Sequence, residues 1–67
     1  MEFELIGEFI KLEQILKATN VVCTGGEAKI VIAEGMVKVN GETELRRGKK
    51  LYRGDVVSFE GSDITVV

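Results

Sequence analysis

Histidine and proline are absent from this chain, and cysteine occurs once, at Cys23. One cysteine excludes an internal disulfide framework, and the ligand spacings of a zinc site are missing. Catalysis finds little support for the same reason. The Cys23 thiol has no imidazole anywhere in the chain to serve as its base, so a half-buried packing role is expected of it. Asp55 follows Gly54 in a turn and reads as a backbone acceptor, not as a general acid. No Walker-type or dinucleotide fingerprint occurs. Long apolar runs are lacking too, and Glu2 and Glu4 stand where a signal peptide would be basic. No linker-like stretch and no internal repeat divides the 67 residues. The expectation is one cytoplasmic, non-enzymatic domain, monomeric and without a cofactor, close to the lower size limit for a hydrophobic core.

What is present is an uneven distribution of charge. The formal net charge is -2, yet Arg46, Arg47, Lys49, Lys50 and Arg53 place five of the nine cations within RRGKKLYR, with no acid among them. Glu2, Glu4 and Glu8 crowd the first ten residues. Attraction to a polyanion follows the local field and not the sum, so one side of the molecule is expected to be positive. Closely spaced cations on a hairpin match the spacing of backbone phosphates and release counterions on binding. A solvated loop that only maintains solubility is the plainer reading of the same residues.

Periodicity places the elements. Phe3 and Leu5 share one face of a short N-terminal strand. Leu12, Ile15, Leu16 and Thr19 recur at the spacing of one helix face, giving a first helix from about Lys11 to Ala18 that Asn20 can end. Thr24-Gly25-Gly26-Glu27 reads as a reciprocal capping box opening a second helix, with Ala28, Val31 and Ile32 inward and Gly35 as its stop. Ile30 falls on the far side of that wheel, either as a lone exposed apolar residue or, the favoured reading, beneath the N-terminal strand. Val37 and Val39 then face inward on a strand, with Lys38 outward, and Asn40-Gly41 suits a type I′ turn. Strict pairing beyond it would set Val37 opposite Glu44, so the return arm should leave the ladder early as a basic loop. After Gly54-Asp55, Val56 to Glu60 and Asp63 to Val67 form a hairpin about Gly61-Ser62, with Phe59 facing Ile64 and Val57 facing Val66. The expected fold class is α+β, two N-terminal helices packed on a small, mostly antiparallel sheet.

Two further groups bear on binding. The bare amides of Gly25 and Gly26 can approach a phosphate at the positive end of a helix dipole, although Glu27 competes for that spot and capping alone explains the pattern. Lys11, Lys29 and Lys38 sit one on each successive element and matter only if the fold aligns them with the basic loop.

In this order, KLEQILKA, then TGGEAKIVIAEGMVKVNGE without a gap, then GDVV resemble the alpha-L RNA-binding motif, the S4 domain, over residues 10–57. The run E-A-K-x-x-I-x-x-G-x-V-x-V-N-G is the more specific part, and TGGEAK with RRGKK is most similar to small stand-alone bacterial members of the YaaA type. The resemblance implies an RNA surface formed by the two helices and the following hairpin. By position it comprises Lys11, Thr24 as hydroxyl cap, Lys29, Lys38, Asn40 and Gly41. Gly25 stands where many members carry Arg, so backbone amides or Arg46 and Arg47 must supply that contact. The implied partner is structured RNA such as ribosomal RNA, possible within a ribosomal particle, recognised by shape and charge with little base readout. A β-grasp interaction or sulfur-carrier protein is the rival, similar in its VNGE and GD-x-V-x-F patterns, but Ile64-Thr65-Val66-Val67 stands where a carrier needs a flexible Gly-Gly.

Overall fold

A computed structural model describes residues 1–67. Two short strands come first, β1 (Glu2–Phe3) and β2 (Ile10–Lys11), followed by helices α1 (Leu12–Ala18) and α2 (Gly25–Ala33). Five strands complete the chain: β3 (Val37–Val39), β4 (Glu42–Thr43), β5 (Lys50–Leu51), β6 (Val56–Phe59) and β7 (Ser62–Val66). The class is α+β and the sheet mostly antiparallel, but the helices are not N-terminal. The first strand runs parallel to the last, Glu2 opposite Thr65 and Phe3 opposite Val66, in a sheet ordered β1-β7-β6-β3-β4. A separate antiparallel pair joins β2 to β5.

One cluster of hydrophobic side chains explains this arrangement. Leu12, Ile15 and Leu16 of α1 and Ala28, Val31 and Ile32 of α2 are buried together with Val37, Val39, Val57, Phe59, Ile64 and Val66 from one face of the sheet. Leu5 joins from the segment after β1, and Leu51 from the middle of the basic run. Every buried residue is apolar, and no buried side-chain nitrogen or oxygen lacks a partner.

The turns follow local chemistry. Asn40 (φ 53°) and Gly41 (φ 84°) form the expected tight turn, and Glu44 donates its amide to Val37 O at 3.0 Å before the chain leaves the ladder. In the second hairpin the turn is Glu60-Gly61, both at positive φ, not Gly61-Ser62. Val57 therefore faces Ile64, Phe59 faces Ser62, and Ser58 pairs with Asp63 instead of Thr65. The difference is two residues, so each inward side chain stays inward. A 2.8 Å hydrogen bond from Ser58 Oγ to Asp63 Oδ1 supports the tighter register.

The start of α2 is half as expected. Thr24 Oγ1 accepts the Glu27 amide at 3.1 Å, but the Glu27 carboxylate accepts from Cys23 N at 2.7 Å, one residue before the cap. Both interactions satisfy amides at the helix entrance. Cys23 itself is exposed, contrary to the half-buried role. Ile30 is also uncovered, with 57% of its surface accessible, because β1 lies at the sheet edge opposite β4. The C-terminal end of α2 lies at the β4 edge, with Gly35 nearest to Thr43 and Leu45.

Candidate nucleic-acid interface

The basic segment is held by its backbone. The amides of Leu12 and Glu13 at the start of α1 donate to Lys49 O (2.9 Å) and Arg47 O (3.1 Å), so loop carbonyls satisfy helix donors that would otherwise be unpaired. Leu51 is fully buried beneath the loop, and β5 pairs with β2. These contacts pin a run of cations that composition alone would leave as a solvated loop.

Two shallow depressions share Arg46 and Gly48. One is lined by Arg46, Gly48, Lys49, Lys50 and Tyr52, and the other brings Lys29, Ile32 and Ala33 of α2 against Leu45, Arg46, Arg47 and Gly48. Lys29 is thus aligned with the basic loop, and Gly25 and Gly26 lie about one turn before it on the same helix. Lys11 stands directly opposite Lys50 across the β2–β5 pair. Like charges facing each other across a ladder are destabilising in isolation, and an external anion relieves them. The Lys50 ammonium lies 4.8 Å above the Phe9 ring, and Phe9 and Tyr52 have ring centroids 6.3 Å apart.

Other residues are placed differently. Arg53 turns its guanidinium to the N-terminal segment, donating to Leu5 O at 2.7 Å and Gly7 O at 3.1 Å. Asn40 ties two turns together: its amide donates to Asp55 Oδ1 at 3.1 Å and its oxygen accepts from Val56 N at 2.9 Å. Asp55 is a backbone acceptor as read, taking the Tyr52 amide at 2.8 Å. Lys38 projects from β3 between Thr43 and Ser58, on the sheet face away from the core, and Gly41 sits at the hairpin tip. Thus Lys29 lines a depression together with the basic loop, while Lys38 lines neither of the two.

Arg46 carries a local counter-charge. Its Nε and Nη2 donate to the Glu44 carboxylate at 3.0 and 3.3 Å. Those hydrogen bonds, and to a lesser degree the nearby Lys49 charge, hold the Glu44 carboxyl below its ordinary pKa of 4.5. The same pairing raises the Arg46 guanidinium.

Glycine usage adds a feature that the sequence reading missed at Gly48. Gly25, Gly26 and Gly48 do not adopt positive φ, and a Cβ at each would meet open space or, at Gly26, ordinary contact with Thr24 Oγ1 at 3.8 Å. The fold does not demand glycine at these positions, and at the start of a helix glycine is unfavourable. All three lie on or beside the cationic face, where a missing side chain opens the backbone to an approaching group. The signal available in the sequence was the glycine inside RRGKK itself.

No helix is long and apolar enough to cross a membrane. A two-helix layer on this small sheet, with its basic loop docked on the first helix, defines an alpha-L type module. The S4 domain family model matches residues 3–67, and the chain belongs to that family. It is 52% identical over 54 residues to the "Probable ribosome maturation protein RlbA" of Bacillus subtilis, covering 81% of this chain and 76% of that protein. To the "Putative RNA-binding protein YbcJ" of Escherichia coli it is 43% identical over 58 residues, covering 87% and 83%. The solution structure of YbcJ, described as revealing an alpha-L motif involved in RNA binding, superposes with a TM-score of 0.76 at 40% identity, over 98% of this chain and 85% of that one. The family assignment sets the β-grasp rival aside.

Proposed function

We propose that this protein is a non-catalytic RNA-binding module for structured RNA, ribosomal RNA in particular, acting in ribosome assembly or translation in the cytoplasm. The observation that carries the reading is the grouping of Lys29, Arg46, Arg47, Lys49 and Lys50 along two depressions that share Arg46 and Gly48, with the loop fixed by hydrogen bonds to α1. Lys11 extends that face beside Lys50, and the Thr24–Gly25–Gly26 entrance of α2 offers backbone amides next to Lys29. Such a face reads phosphate positions more than base identity. The relatives' names, one in ribosome maturation and one in RNA binding, support the same direction. Lys38, Asn40, Gly41 and Arg53 contribute secondarily, because their side chains lie on another face, are engaged within the chain, or are absent.

Titration of RNA and DNA hairpins at several salt concentrations tests this. Neutralising about four phosphates gives a slope of log K on log salt of about -3 to -4. Replacing Arg46, Arg47, Lys49 and Lys50 with Gln should flatten the slope and weaken binding to all RNAs alike, while Lys17→Gln on α1 should matter less. RNA should be preferred to DNA of the same sequence, through A-form shape and the 2′-hydroxyl. Absence of RNA affinity at low salt would overturn the assignment.

A further inference from the structure

Among the residues lining the cationic depression, Tyr52 is the aromatic one, and half of its surface is accessible. Burial does not explain its position. The chain passes from buried Leu51 to a turn in which the Tyr52 amide binds Asp55, and the ring stays outside the core. Phe9, 38% accessible, stands beside it with the rings inclined at 55°. Phe9 comes from the segment before β2 and Tyr52 follows β5, so the β2–β5 pair holds the two rings together. The Lys50 ammonium lies over one face of the Phe9 ring, and of the two aromatics it is Tyr52 that lines the depression. The same depression is lined by Arg46, Lys49, Lys50 and the bare backbone of Gly48.

We propose that Tyr52, supported by Phe9, is a stacking platform for one unpaired base of the bound RNA, whose flanking phosphates lie on Arg46, Lys49 and Lys50. This rests on the RNA-binding reading and adds to it a preference for RNA that presents a bulged or looped-out nucleotide beside a duplex. Paired bases keep their faces covered, so a continuous helix can use the cations but not the ring. An unstacked base can use both, because any base offers a π-face and stacking tolerates sequence. Gly48 fits this arrangement, since a side chain there would project toward the space shared by ring and cations.

The test uses two RNA hairpins that differ only by one inserted nucleotide, one fully paired and one with a single bulged 2-aminopurine. The wild-type protein should bind the bulged hairpin about tenfold more tightly and quench its 2-aminopurine fluorescence. Tyr52→Leu should abolish the preference and the quenching, yet leave affinity for the paired hairpin and its salt slope within about twofold. Tyr52→Phe should retain both. Retained affinity for the paired hairpin certifies that Tyr52→Leu is folded, and the wild-type quenching is read without any variant. Equal binding of the two hairpins by wild type, no quenching, or a Tyr52→Leu protein that still prefers the bulge would overturn the platform and leave the RNA-binding reading standing. Binding to neither hairpin at low salt would remove both.

Discussion

Arg53 belongs to the basic run by sequence, yet its guanidinium is tied to the N-terminal segment, and exchanging it for Gln separates folding from binding. Its guanidinium bridges Leu5 O and Gly7 O across most of the chain length and holds the segment that carries buried Leu5. A hydrogen bond from a charged donor contributes about 1.5–3 kcal/mol net, and one at a surface site belongs at the low end. Arg53 is exposed and both bonds come from one group, so the expected loss is about 1–2 kcal/mol. For a domain of this size that lowers the thermal midpoint by roughly 4–15 °C. Arg53→Lys should fall between, because a single ammonium cannot span both carbonyls as the planar fork does. Thermal and urea denaturation of the three proteins, with RNA titrations below the lowest midpoint, provide the readout. An unchanged midpoint in Arg53→Gln would refute the latch. So would a salt slope shallower by about 0.9, the signature of one lost phosphate contact.

Three further outcomes are expected. Thr24→Ala should destabilise the domain by about 1 kcal/mol through loss of the 3.1 Å cap to Glu27 N, seen as a lower urea midpoint at unchanged m-value. Gly25→Ala and Gly26→Ala should each raise stability by about 0.4–1 kcal/mol, since the added methyl meets no obstacle, while RNA affinity in filter binding falls. Glu44→Gln should free Arg46 and strengthen RNA binding at neutral pH. Because the folded-state pKa of Glu44 is depressed, its stabilising contribution is present above the ordinary value of 4.5 and lost as pH falls through the lower folded value. Acid denaturation of Glu44→Gln should lack that component.

Helix positions, the Asn40-Gly41 turn and the inward faces of β3, β6 and β7 were legible because each depends on neighbours within a few residues. The Val57 and Phe59 alternation survives a two-residue change of register, so the hairpin core could be read even though its turn was assigned one residue late. What could not be read depends on distant partners. Nothing near Ile30 indicates that β1 pairs with β7 and leaves it bare, and nothing near Arg53 announces the carbonyls of Leu5 and Gly7. In the candidate site, the clustering of cations was visible as composition. The docking of Arg47 and Lys49 carbonyls on α1, and the alignment of Lys29 with Arg46, required the fold. Leu51, a lone aliphatic residue among cations, was the available hint that this loop is anchored.

The parallel pairing of β1 with β7 also sets an order in time. Synthesis releases Phe3 and Leu5 well before the backbone that receives them, Thr65 to Val67. The β3–β4 and β6–β7 hairpins can close through nearby residues as they emerge, whereas β1 must wait for β7. Until then Leu5 remains open to other hydrophobic surfaces. Of these strands the earliest in sequence is therefore the last to find its place.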